Sequence, residues 1–318
     1  MSDARISVGL AQIAPVWLNR DATADKIVSW IEKSAHEGCS LVVFGEALLP
    51  GYPFWVERTG GARFESDLQK SLYAHYLSEA ITIEDGDLDR VCEAARDNRI
   101  SVYLGIIESA ADRGGHSLYC SMVYINAEGV IGSVHRKLMP THEERLVWAI
   151  GDGNGLRTHK LGPFTAGGLN CWENWLPLAR ASLYAQGEDL HVAIWPGNVR
   201  NTEEITRFIA RESRSYVVSV GGLMRKSDIG TDLPHAELLI DAADEWMANG
   251  GSCVAGPNGE WMLEPQSGDE SLYIVELDHQ RVLEERHSLD VAGHYSRPDV
   301  TRLVVNRKRQ TTAEFSDD

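Results

Sequence analysis

Long hydrophobic runs are missing from this sequence of 318 residues. No segment approaches the run of about 18 apolar residues that a transmembrane helix requires. The chain opens on Met1-Ser2-Asp3-Ala4-Arg5, without the basic stretch and apolar core of a secretory signal, and it contains no Asn-x-Ser/Thr sequon. We therefore expect a cytoplasmic protein that does not enter a membrane.

Cysteine is scarce, and its spacing fits neither a disulfide framework nor a zinc site. The five cysteines are scattered, odd in number and never arranged as Cys-x-x-Cys: Cys39, Cys92, Cys120, Cys171 and Cys253. A chain of this length buries about three quarters of its unfolded surface, so its core needs no cross-links. The pattern predicts free thiols in a reducing compartment and no structural zinc.

Positive charge is also in short supply. Lysine and arginine total 30 against 47 aspartates and glutamates, which gives a formal net charge of −17. Because binding to a phosphate backbone depends on clustered Lys and Arg, nucleic acid is disfavoured as a partner, and so is anionic lipid. A neutral or cationic small molecule is favoured. The one dense basic run, Arg307-Lys308-Arg309, is expected to lie in a solvated polar tail.

Several common catalytic motifs are absent. His142-Glu143 begins like a zinc-protease helix, but Leu146 stands where the second histidine ligand would be. The stretch from Gly151 to Gly155 lacks the spacing of a dinucleotide fingerprint, and there is no Walker motif or Gly-x-Ser-x-Gly elbow. Phosphoryl transfer and serine hydrolysis are therefore disfavoured, whereas the 11 histidines leave a Cys–His dyad open.

The sequence does contain an alternation of short β-rich runs and helical stretches. Strands are predicted at Ile6 to Ile13, Leu41 to Phe44, Ile100 to Ile107, Leu118 to Ile125, Val130 to His135, Phe164 to Asn170, Leu190 to Trp195, Tyr216 to Val220, Cys253 to Ala255 and Leu272 to Val275. Helices are predicted at Asp21 to Glu37, Leu88 to Ala95, Leu178 to Gln186 and Glu203 to Ser213. Because no linker or repeat divides the chain, this pattern favours a single α/β sandwich.

Three polar side chains stand just past the ends of predicted strands, where α/β proteins place their chemistry: Glu46, Lys137 and Cys171. A sulfur at a strand-to-helix turn faces backbone N–H groups and the positive end of a helix, and both favour the thiolate. Taken singly, however, a cysteine is more often a buried thiol, and a lysine or glutamate is more often a solvated surface charge.

The local sequence around these positions is distinctive. In chain order, its segments are Phe44-Gly45-Glu46-Ala47-Leu48-Leu49-Pro50-Gly51-Tyr52-Pro53, His135-Arg136-Lys137-Leu138-Met139-Pro140-Thr141 with Glu144-Arg145, and Gly167-Gly168-Leu169-Asn170-Cys171-Trp172-Glu173-Asn174. Each is specific by itself. Together they resemble the nitrilase branch of the carbon–nitrogen hydrolase superfamily, over about residues 5 to 300.

The resemblance implies a catalytic triad of Glu46, Lys137 and Cys171. It implies a second glutamate at Glu144, with the neighbouring Glu143 as the lower-ranked alternative. The implied fold is α/β, a four-layer αββα sandwich that pairs into homodimers or larger spiral homo-oligomers. On this basis residues 1–285 form the hydrolase domain, and residues 286–318 form an extension that contributes to an interface and then becomes disordered.

These residue types suit the hydrolysis of a small-molecule nitrile. We assign Glu46 as the base that takes the thiol proton while Cys171 attacks the nitrile carbon. Lys137 then stabilises the negative charge that develops on nitrogen. The resulting thioimidate adds water and expels ammonia, and a second water hydrolyses the acyl-thioester with Glu46 or Glu144 as its base. This chemistry needs no metal and no organic cofactor.

Two other functions stay open at this point. An aliphatic amidase or carbamoylase would use the same triad, although Cys171-Trp172-Glu173-Asn174 favours nitriles. A non-catalytic assembly protein would keep the fold and its self-associating faces, against which the intact triad speaks. Aromatic residues near the catalytic segments are candidate substrate-binding walls, with ordinary core packing as an equal alternative: Tyr52, Trp55, Trp172 and Trp195.

Overall fold

Two β-sheets stacked face to face form the centre of the structure, a computed structural model that describes residues 4–313 and 316. Numbered in chain order, their strands are β1 (Arg5–Gln12), β2 (Leu41–Phe44), β3 (Ser101–Ser109), β4 (Leu118–Ile125), β5 (Ile131–Arg136), β6 (His159–Leu161), β7 (Phe164–Asn170), β8 (Leu190–Trp195), β9 (Tyr216–Gly221), β10 (Leu223–Arg225), β11 (Trp246–Ala255), β12 (Trp261–Ser267) and β13 (Ser271–Asp278).

The helices lie on the outer faces of the sheets and in the connections. They are α1 (Arg20–His36), α2 (Trp55–Arg58), α3 (Asp67–Ser78), α4 (Asp89–Asn98), α5 (Pro177–Tyr184), α6 (Val199–Ser213), α7 (Ala236–Ala242) and α8 (His279–Arg286). Within the described residues, none of them combines the length and the apolar character needed to cross a membrane.

The order and direction of the strands determine where the predicted site residues can meet. The first sheet has the order β13-β1-β2-β3-β4-β5, and the second has the order β10-β11-β9-β8-β7-β6 with β12 paired to β11. Strand β2 is parallel to β3, and β5 runs in the same direction because both β3–β4 and β4–β5 are antiparallel. The segments that follow β2 and β5 therefore leave the first sheet at the same edge.

Apolar residues fill three layers, which gives the four-layer arrangement. Between the sheets, side chains of the first sheet such as Leu10 and Val43 join one cluster with Val192 and Val218 of the second. Helices α1 and α4 cover the outer face of the first sheet, and α5 and α6 cover that of the second. Burial of this continuous apolar surface stabilises the fold. The predicted αββα sandwich is confirmed.

The sequence pattern located most strands but missed several peripheral elements. Strands β2, β4, β7 and β8 have the predicted bounds, whereas helix α6 begins at Val199 rather than Glu203. The first turn contains polar residues, so it gives little apolar signal. Thr202 in this turn is nevertheless buried, and its hydroxyl donates a hydrogen bond to the carbonyl of Gly251, 2.7 Å away. The helix α3 carries only two buried residues, Leu72 and Tyr76, and so has little apolar signal.

The C-terminal extension lies against its own chain. After α8, residues 287–313 form no helix or strand. The expectation of a solvated tail is wrong for Arg309, because its guanidinium is 3.1 Å from the buried carboxylate of Asp152 and also donates to the carbonyl of Val134. Its role in an interface stays a prediction. For the predicted disorder, residues 314, 315, 317 and 318 lie outside the described part of the chain.

Candidate active site

Glu46 lies in a tight passage directly after β2. Its backbone N–H donates to the carbonyl of Trp195 at 3.1 Å, which ties the end of β2 to the end of β8 in the other sheet. The passage crosses β3 at Gly105, where a Cβ atom would lie 2.3 Å from the carbonyl oxygen of Gly45. Glycine at this position therefore allows the Glu46 segment to lie directly on the sheet.

Lys137 follows β5 and is almost completely buried, at 1% exposure. Its Nζ donates to Oε1 of Glu46 at 2.9 Å and to Oε2 of Glu144 at 2.7 Å. Burial opposes the charged form of this lysine, but the negative charges around it outweigh burial and raise the pKa of Lys137 well above its usual value. The structure thus places one ammonium group between two buried carboxylates.

Glu144 is held from three directions in the short 3₁₀ helix His142–Leu146. Besides Lys137, its carboxylate accepts hydrogen bonds from the backbone N–H of Thr141 at 2.6 Å and from the hydroxyl of Tyr52 at 2.9 Å. The bond to Thr141 belongs to a capping box at the start of this helix. The carboxylate of the adjacent Glu143 is 3.0 Å from the exposed ring of His142 and 3.5 Å from the hydroxyl of Tyr52, and it is not among the hydrogen-bond partners of Lys137.

Cys171 occupies a strained turn at the end of β7. Its φ of 46° lies in the left-handed region, a backbone conformation that residues other than glycine rarely adopt. A short 3₁₀ turn, Cys171–Trp175, separates it from α5. The sequence suggested that the sulfur lies at the first turn of an α-helix. In the structure it lies at the start of this 3₁₀ turn instead.

The surroundings of the Cys171 sulfur favour the neutral thiol. Burial is the largest influence, the charge of Glu46 adds to it, and together they raise the pKa of Cys171 well above its usual value. Lys137 and the backbone N–H of Trp172 act in the opposite direction but do not prevail. The turn thus favours the thiolate through this N–H, as expected, but burial and the carboxylates outweigh it, so a reactive sulfur at this position needs a base beside it.

Glu46 has the properties of such a base. Burial, opposed by the charge of Lys137, raises the pKa of Glu46 to about 7. Its Oε1 accepts from Lys137 and from the thiol of Cys120, whose sulfur is 3.5 Å away. Within the described residues, its Oε2 is buried and has no hydrogen-bond partner. One oxygen is thus anchored while the other is available to accept a proton.

The structure brings together all four candidate catalytic residues. Ligand atoms of Glu46, Glu144 and Cys171 lie within 4.8 Å of one another, and Lys137 bonds both carboxylates. Two carboxylates and a thiol are also a donor set that a metal ion can use. Here the chain itself supplies a positive charge to the carboxylates through the ammonium of Lys137.

Comparison with known proteins places the chain in a family. A model of the carbon-nitrogen hydrolases matches residues 7–286. The chain belongs to the carbon-nitrogen hydrolase family. It is 33% identical over 314 residues to Nitrilase 2 from an unknown prokaryotic organism, an alignment that covers 98% of this chain and 96% of that protein. It is 32% identical over 327 residues to an aliphatic nitrilase of Rhodococcus rhodochrous, covering 98% and 82%.

Solved structures of the same superfamily share the fold. A carbon-nitrogen hydrolase from Helicobacter pylori G27 superposes with a TM-score of 0.68 at 20% identity, covering 90% of this chain and 93% of that one. Nit3 of Saccharomyces cerevisiae, from branch 10 of the nitrilase superfamily, gives a TM-score of 0.69 at 18% identity, covering 92% and 96%. These likenesses agree with the αββα architecture.

The four aromatic candidates for substrate binding lie in different environments. The hydroxyl of Tyr52 bonds Glu144, and the side chain of Trp172 is half exposed beside Cys171. Trp55 and Trp195 instead are core residues, with exposures of 2% and 0%. Their burial in apolar clusters favours the alternative of ordinary core packing, and their role as pocket walls stays a prediction.

Sequence reasoning missed Cys120 as a neighbour of the site. Its backbone carbonyl accepts a hydrogen bond from the N–H of Lys137 at 2.8 Å, opposite it in the β4–β5 hairpin. Counting back from the hairpin turn could have suggested this pairing. However, a register shift between Tyr124 and Ile125 changes the pairing by one residue, which reverses the faces that such counting assigns.

Proposed function

We propose that this chain is a nitrilase, which converts an organic nitrile and two waters into a carboxylic acid and ammonia. The observation that carries the proposal is the ammonium of Lys137 held between Glu46 and Glu144, with the thiol of Cys171 in the same buried cluster. Curated relatives aligned over nearly the whole chain are named nitrilases, which supports nitriles as the substrate class.

In the first step Cys171 attacks the carbon of the nitrile. The free oxygen of Glu46 takes the thiol proton as the carbon–sulfur bond forms, because the raised thiol pKa leaves little thiolate beforehand. Negative charge develops on the nitrile nitrogen, and the Lys137 ammonium stabilises it. Transfer of the proton to this nitrogen gives a thioimidate bound to the sulfur.

Hydrolysis of the thioimidate uses the two waters of the overall reaction. The first adds to the carbon and gives a tetrahedral intermediate that carries a hydroxyl, an amino group and the sulfur. Loss of ammonia leaves an acyl-thioester, and the second water releases the carboxylic acid and restores the thiol of Cys171. Glu46 and Glu144 are the two candidate bases for this water, since both carboxylates lie within the 4.8 Å cluster.

The alternative is an aliphatic amidase or carbamoylase with the same residues. An amidase reaches the same tetrahedral intermediate when the thiol adds to an amide. In the nitrile reaction, expulsion of the thiolate from this intermediate instead of ammonia would release an amide. Ammonia release from matched nitrile and amide substrates distinguishes them: a nitrilase releases ammonia faster from the nitrile, and a faster release from the amide would overturn the proposal. Cys171→Ala is expected to abolish the release while leaving the fold unchanged. A mutant that kept most activity would contradict the assignment of the nucleophile.

We also propose a homodimer or larger spiral homo-oligomer in the cytoplasm, with no nucleic acid partner. Leu178 on α5 and Phe208 on α6 support this, because these large apolar residues are 69% and 50% exposed. Val217, which follows α6 in the chain, is fully buried in β9 and does not belong to this surface. Light scattering tests the assembly, and a monomer at micromolar concentration would contradict it.

The proposed location in the cytoplasm is supported by the five free thiols, which agree with a reducing compartment.

A further inference from the structure

The carboxylate of Glu173 connects the two segments that carry Lys137 and Cys171. It accepts hydrogen bonds from the backbone N–H of Leu138 at 2.7 Å and from that of Asn170 at 3.0 Å. Nε2 of His135 lies 3.1 and 3.0 Å from its two oxygens. One side chain thus binds the residues that flank Lys137 and the residue that precedes Cys171.

A helix cap accounts for only one of these bonds. In the capping box at Cys171–Trp175, Glu173 needs to accept only from the N–H of Asn170. The bonds to Leu138 and His135 reach from the end of β7 in the second sheet to the end of β5 in the first. They link two segments that are 35 residues or more apart in sequence.

The link is buried, and its carboxylate favours the charged form. The side chains of Glu173 and His135 are 0% and 1% exposed. Burial works against the charged carboxylate, but His135 and the two backbone N–H groups outweigh burial and hold the pKa of Glu173 below its usual value. A buried charge with both oxygens bonded has little freedom to rotate, so the atoms bonded to it are also fixed.

We infer that Glu173 is a positioning residue that sets the separation of Lys137 and Cys171. In the proposed reaction, these two groups must meet opposite ends of one carbon–nitrogen bond, the sulfur at carbon and the ammonium at nitrogen. A displacement of about 1 Å in such an arrangement can cost about 100-fold in rate. The inference rests on the proposed function for its kinetic readout, and it has a second readout that needs no nitrile.

The test compares Glu173→Gln with Asp189→Asn. Asp189 is a matched control, because its buried carboxylate also binds a backbone N–H, that of Thr165 at 2.7 Å, and a histidine, His279 at 2.8 Å. It does so at the opposite end of β7 from Cys171. For each variant we would measure kcat and KM on the best nitrile, the rate at which iodoacetamide alkylates Cys171, and thermal unfolding.

We expect Glu173→Gln to lower kcat by about 100-fold, to change KM by less than about 3-fold and to slow the alkylation of Cys171. Asp189→Asn should lower the thermal stability, but its folded molecules should keep the kcat, the KM and the alkylation rate of the parent chain. The inference would be overturned if folded Glu173→Gln kept its kcat and alkylation rate within about 2-fold of the parent chain. Slower alkylation in a protein that hydrolyses no nitrile would support the positioning role and refute the proposed function instead.

A second pair of variants covers the case in which Glu173→Gln does not fold. His135→Gln keeps a side-chain N–H that can donate to Glu173, whereas His135→Leu removes it. We expect His135→Gln to keep at least about 10-fold more kcat than His135→Leu, because only the first retains the charge-assisted bond. Equal kcat values in these two folded variants would also overturn the inference.

Discussion

The Nζ of Lys137 lies 2.9 Å from Oε1 of Glu46, while Oε2 of the same carboxylate has no partner among the described residues. This asymmetry divides the carboxylate into an anchored oxygen and a free one. The anchored oxygen fixes the direction of the group, and the free oxygen can accept the proton of Cys171. The ammonium of Lys137 thus orients the base Glu46 and, in the proposed reaction, also stabilises the negative charge that develops on the nitrile nitrogen.

Lys137→Met should therefore impair both activity and folding. Loss of the ammonium removes the stabilising charge, and we expect kcat/KM to fall by at least about 100-fold. The two carboxylates would also remain buried without a positive charge beside them, and breaking a buried ion pair typically costs about 3–5 kcal/mol of unfolding free energy. Steady-state kinetics and urea unfolding measure the two effects.

The control for Lys137 is Lys26, which pairs with Glu270 at the surface. Because this pair is partly exposed, Lys26→Met should change the unfolding free energy by less than about 1 kcal/mol and leave kcat unchanged. A Lys137→Met protein as stable as Lys26→Met would contradict the buried arrangement described here.

The pKa of Glu46 predicts how activity depends on pH. This group acts as a base only when ionised, so kcat/KM should rise with pH through a midpoint at about 7, where Glu46 is half ionised, and level off about one pH unit higher. Lys137 should not limit the plateau at mildly alkaline pH, because its pKa is raised above the usual lysine value. A profile that is flat between about pH 5 and 8 would contradict this role.

Cys120→Ala provides a finer test of the same group. The thiol donates to Oε1 of Glu46, and this contact lowers the pKa of the carboxyl. Without it, the rising limb of the pH profile should move to higher pH, with little change in the plateau. A limb that moved to lower pH would show that the thiol does not stabilise the ionised form.

Glu144 and Glu143 are adjacent, but only the first contacts Lys137. Glu144→Gln should lower kcat by about 10- to 100-fold, since hydrogen bonds to a charged group are worth about 1.5–3 kcal/mol. Glu143→Gln should stay within about 2-fold of the parent chain, because this side chain is 27% exposed and faces His142. If the two variants had equal effects, the assignment of Glu144 would fail.

The buried strands could be predicted from the sequence because they carry unbroken apolar runs. Leu41–Phe44 and Leu190–Trp195 are covered on both faces, and short apolar runs of this kind are typical of strands in such a position. Among the described strands, Trp261–Ser267 pairs with β11 alone. It is partly exposed along its length and contains Pro265, so its pattern is weak. Predictability thus followed burial.

The site was predictable as a set of residues but not as an arrangement. Glu46, Lys137 and Cys171 could be named because each follows a strand in a distinctive segment. The choice between Glu144 and Glu143 depends on the rotation of one 3₁₀ turn, which a sequence does not specify. The pKa of Cys171 depends on burial and on charges from distant segments, so its direction required the structure.

Trp172 and Trp195 are both tryptophans close to the site, and they should respond to truncation in opposite ways. Trp172 is 52% exposed, so Trp172→Ala should change the unfolding free energy by less than about 0.5 kcal/mol while altering KM or the preference among nitriles. Trp195 is fully buried beside Cys171 in the core, so Trp195→Ala should cost about 3–5 kcal/mol.

Urea unfolding and a panel of aliphatic and aromatic nitriles separate these two roles. The backbone carbonyl of Trp195, which accepts from the N–H of Glu46, is retained in the alanine variant, so the remaining folded fraction should keep its order of substrate preference. A Trp195→Ala protein of normal stability with a new order of preference would return this residue to the substrate wall. A Trp172→Ala protein with unchanged KM and preference would remove that residue from it.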